Sequence, residues 1–123
     1  MPTEEIPRKD WATFFDGFSQ RHQGWLVTVE VLGPDIGDLV EARELPLEGI
    51  TAELSDSGED EVEIFVGTNP DSHVSHKITA PEHVYLKQTE QGADESLEIA
   101  SREIAAIIRF RSAVPPELVD GLA

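Results

Sequence analysis

The densest run of groups able to do chemistry in this chain is Asp71-Ser72-His73-Val74-Ser75-His76. Neutral imidazoles and a carboxylate are ligands that zinc and nickel take, so Asp71, His73 and His76 form the metal candidate. With a metal they would make the chain a metal-dependent hydrolase. The spacing argues against it. On a helix positions 73 and 76 would share a face, but the surrounding pattern implies a strand, where an odd separation points them to opposite faces. Only a bulge or loop would let the pair chelate.

Other constellations are weaker still. The acidic run Asp56-Ser57-Gly58-Glu59-Asp60-Glu61 offers oxygen ligands to a hard cation. It fails the calcium-loop pattern, which needs Gly at its sixth position and Glu at its twelfth, where this chain has Glu61 and Gly67. Glu53 with Glu61 or Glu63 would be neighbours across a hairpin, yet on a solvated face nothing separates their pKa values into an acid and a base. Ser72-His73 and Ser75-His76 are adjacent in sequence, which is not triad geometry. No nucleophile elbow and no phosphate-cradling glycine loop occurs. No cofactor is expected. The most informative stretch is His22-Gln23-Gly24-Trp25, where a helix gives way to a strand; there His22 and Trp25 could line the rim of a binding pocket or pack a corner.

The elements that would position these groups follow from hydrophobic period. Residues 1–9 are polar, broken by Pro2 and Pro7, and read as a flexible arm ahead of a single domain over 10–123. Trp11, Phe14, Phe15 and Phe18 recur at helical spacing, with Asp10 as N-cap and Gly24 as stop. Half of the eight aromatic residues lie on that stripe, so the helix is expected to dock on a sheet. From Trp25 the period becomes two. Strands are expected at Trp25–Val31, Leu39–Leu45 (broken by Pro46), Ile50–Leu54, Glu61–Val66, Val74–Ile78 and Val84–Gln88, divided by turn residues. The stretch from Ser96 to Arg111 is ambiguous: Leu97, Ala100, Ile104, Ile107 and Ile108 fit a helix, whereas Leu97, Ile99, Ile104, Ala106, Ile108 and Phe110 fit a tight hairpin. The Ile, Phe and Arg density at 107–111 favours strands. Pro115-Pro116 would end the sheet, with a short helical turn after it.

Composition bounds the partners. Twenty-five acidic residues against nine basic give a net charge of −16. Such a field repels phosphate backbones and anionic membranes, so nucleic acid and membrane are poor partners. It attracts basic protein surfaces and favours solubility. Without cysteine there is no disulfide or thiolate site. The first residues carry no basic start or apolar run, and no stretch is long enough to span a bilayer, so a cytoplasmic location is expected.

Asp10-Trp11 through Phe18-Ser19, His22-Gln23-Gly24-Trp25, Leu45-Pro46-Leu47-Glu48-Gly49-Ile50 and Arg109-Phe110-Arg111-Ser112 together resemble a family of small bacterial proteins known only as a domain of unknown function. The resemblance covers about residues 6–121 and implies a single-domain bacterial cytoplasmic protein, with no activity, cofactor or catalytic residue to carry over. One departure stands at residues 100–105, a turn shorter than the glycine-containing hairpin of the relatives.

The fold class these observations support is α+β: an N-terminal amphipathic helix packed on a small antiparallel sheet or partly closed barrel of five to seven strands. The function expected is a non-enzymatic binding or accessory module acting through protein–protein contact, with a protein partner or self-association as a homo-oligomer. Ala105–Phe110 is the edge expected to pair. The alternatives are an acidic decoy that mimics the charge of DNA and blocks a basic protein surface, and the hydrolase using Asp71, His73 and His76.

Overall fold

A computed structural model describes residues 3–34, 37–55, 59–67 and 73–114. The aromatic stripe becomes α1 (Trp11–His22), entered through a 3-10 turn at Arg8–Asp10. Trp11, Phe15, Phe18 and His22 are its buried face. Asp10 holds the N-cap position but makes no side-chain cap bond. Gly24, with φ of 87°, ends the helix in the left-handed conformation that favours glycine.

Among the described residues there are eight strands: β1 (Thr3–Glu5), β2 (Leu26–Gly33), β3 (Gly37–Glu53), β4 (Glu61–Val66), β5 (Val74–Thr79), β6 (His83–Gln88), β7 (Asp94–Ala100) and β8 (Ala105–Val114). They form one antiparallel sheet in the order β1-β6-β7-β8-β2-β3-β4-β5. The protein is α+β and dominated by its sheet, with one strand more than the five to seven expected. The extra strand is β1. Residues 1–9, read as an arm, are tied down over their described part: Thr3 pairs with Lys87 on β6, and Ile6 is buried.

The 96–111 ambiguity resolves as strands. Leu97, Ile99, Ala106, Ile108 and Phe110 are buried on one face, while Ile104 lies in the turn and is exposed. The hairpin does not supply an edge, as had been expected. β8 lies between β7 and β2, with Val27 opposite Phe110 and Leu97 opposite Ile108. Ala105–Phe110 lies in the middle of the sheet because Ala106, Ile108 and Phe110 complete the core.

Pro46 does not interrupt β3; it marks where the strand changes partner. Up to Pro46 the strand pairs with β2, and from Leu47 with β4. On the side that β2 has left, other donors and acceptors serve the backbone. Gly24 N–H donates to the Leu47 carbonyl and Leu47 N–H to the Trp25 carbonyl, each at 2.8 Å. Ser19 Oγ, one turn back on α1, accepts from Ile50 N–H at 2.8 Å and donates to the Ile50 carbonyl at 3.3 Å. The helix thus replaces a strand.

The sheet must curl. Laid flat, the six spacings from β6 to β5 would separate these strands by about 29 Å. The link from Thr79 to His83 reaches at most about 15 Å. A partly closed barrel follows, with α1 against β3. No ladder among the described residues joins β5 to β6 or β1, so the sheet stays open. Inside lie Trp11, Phe15 and Phe18 with Val27, Val29, Leu47, Ile64 and Leu97, among others. No helix among the described residues is long and apolar enough to cross a membrane.

Candidate functional site

His22 and Trp25, the expected rim, lie inside. His22 has no exposed surface, and Trp25 is half-buried against the core. The stripe of Trp11, Phe15 and Phe18 runs on to His22, so its ring lies tilted against Phe18 and Phe110, with centroids 4.3 Å and 4.8 Å away. Nδ1 stands 2.8 Å from the Phe18 carbonyl oxygen, which can only accept, so that nitrogen carries a hydrogen. Nε2 lies 3.0 Å from Asp94 Oδ2, at ion-pair distance without hydrogen-bond alignment.

Burial works to raise the pKa of Asp94, but His22 and a 2.8 Å hydrogen bond from Gln88 outweigh it and hold the carboxyl below its ordinary value, with Arg21 adding to the effect. The ring also sits in the last turn of α1. The His22 ring has no exposed surface, while the Asp94 carboxylate keeps a little. The work of the pair is to fasten the end of the helix to the start of β7.

The metal candidate is not assembled among the described residues. His73 precedes β5 and is exposed, 3.1 Å from Glu48 Oε2, whereas His76 is half-buried on the inward face of β5 beside Val74 and Ile78. Asp71 lies outside the described residues, as do the loop tip Asp56–Gly58 and the ending from residue 115. Among the described residues no three His, Asp or Glu side chains are grouped to hold a metal. Glu53 and Glu61 do face each other across β3 and β4, and Glu63 faces Lys77 across β4 and β5. They lie on the outer face with Thr51, with Lys77 Nζ 3.5 Å from Glu61 Oε2.

The feature open to a partner lies at the corner where β5 approaches the turn between β7 and β8. A groove of about 460 Å³ runs between His76–Ala80 on one side and Glu82 with Ser101–Ile104 on the other. β5 forms one wall, and among the described residues only β4 pairs with it. The opposite wall is the β7–β8 turn, closed by Ser101, whose Oγ accepts from Ile104 N–H while its own N–H donates to the Ile104 carbonyl. That turn leaves Ile104 38% exposed at the lip. Ala80, at the end of β5, has φ of 53° and is fixed by a 2.8 Å bond from its N–H to the Asp60 carbonyl. Asp60 itself takes two bonds from the Arg8 guanidinium and one from Ser55 N–H, which bring its pKa down to about 2.

A family model described as "Family of unknown function (DUF5335)" matches residues 2–117. The chain belongs to this family. A relative from the bacterium Aquifex aeolicus (strain VF5), itself an "Uncharacterized protein", is 29% identical over 116 residues, covering 94% of this chain and 97% of its own length. No solved structure matches the chain.

In this DUF5335 member, sequence reasoning missed both the groove and the Asp94 partner of His22. The helical stripe could have placed His22 inside, since residues 11, 15, 18 and 22 keep one face. Nothing in sequence marks Asp94, the first residue of β7, brought in by sheet pairing. Nor could spacing show that β5 and the 101–104 turn share a corner.

Proposed function

We propose that this protein is a non-enzymatic binding or accessory module that works by contact with a basic partner protein. The observation that carries this reading is the edge of β5 beside the groove, a strand that pairs with β4 alone among the described residues. A strand edge with unpaired N–H and C=O groups is a template for another chain, and soluble proteins usually blunt or cover it. The net charge of −16 supplies long-range attraction for a basic partner and repels a second copy of the same chain.

The test is titration of a labelled short peptide alternating Lys and Val, against a Glu and Val counterpart of equal length. The Lys peptide should bind at low salt and weaken by roughly tenfold or more at high salt, as screening requires, and the Glu peptide should not bind. Equal binding of both peptides, or no binding of the Lys peptide at low salt, overturns the reading.

A further inference from the structure

We draw no further inference here: the strongest candidate, the groove between the end of β5 and the turn that joins β7 to β8, belongs to the site already described, and nothing in the structure shows what covers it.

Discussion

The Asp60 carboxylate collects three donors, from both arms of the Arg8 guanidinium and from Ser55 N–H, while its carbonyl holds Ala80. One residue thus ties the turn before α1 to the loop before β4 and to the end of β5. Its pKa is depressed to about 2, and that of Asp94 lies below 3.8, held by its neighbours against burial. A carboxyl depressed in the folded state stabilises it fully above the unfolded value, and that share is lost as pH falls through the folded value. The thermal midpoint should hold from neutral pH to about 4 on their account and fall between about 4 and 2. Asp60→Asn should start lower and fall less steeply over that window; a variant as pH-sensitive as the parent would show that the three donors contribute nothing. Asp60 was visible in the sequence only as part of an acidic run. Its partner Arg8 lies 52 residues away, and no local pattern connects them.

At the scale of elements, period was a sound guide wherever one face is buried. Trp11, Phe15 and Phe18 gave the helix, and Val62, Ile64 and Val66 gave β4, because core positions must recur at the period of the backbone. It failed where backbone pairing decides without side chains. Thr3–Glu5 has no apolar alternation and joins the sheet only by its ladder to β6. Pro46 was read as a break, but a proline removes one donor, and the ladder survives because the strand changes partner there. Leu54, expected as the last residue of a strand, is 37% exposed one residue beyond β3. Replacing a strand with α1 depends on Ser19. Ser19→Ala would leave Ile50 N–H without its acceptor in a part-buried place, at a cost of about 1–3 kcal/mol. Chemical denaturation should show the loss as a lower midpoint with unchanged slope; an unaltered midpoint would mean that water takes over the bond.

For the whole molecule, the sequence showed the class of fold and the sign of the charge but not the strand order. Alternation says which residues are buried, and several pairings of the same strands would bury the same residues. The true order puts β8, the last strand described, at the centre. A chain truncated after Ile104 should therefore fail to fold, giving amide exchange without protection and no cooperative thermal transition. A cooperative transition in that truncated chain would show that β2 and β7 can be stabilised without their shared neighbour.

That central pairing also sets a timetable. Val27 must wait for Phe110, and Thr3 for Lys87, so neither end of the chain finds its place until nearly all of it has left the ribosome. Contacts this distant in sequence form slowly. During synthesis the aromatic stripe of α1 is uncovered for as long as the later strands are missing, and the newborn protein has mainly its own strong negative charge to keep it from its siblings.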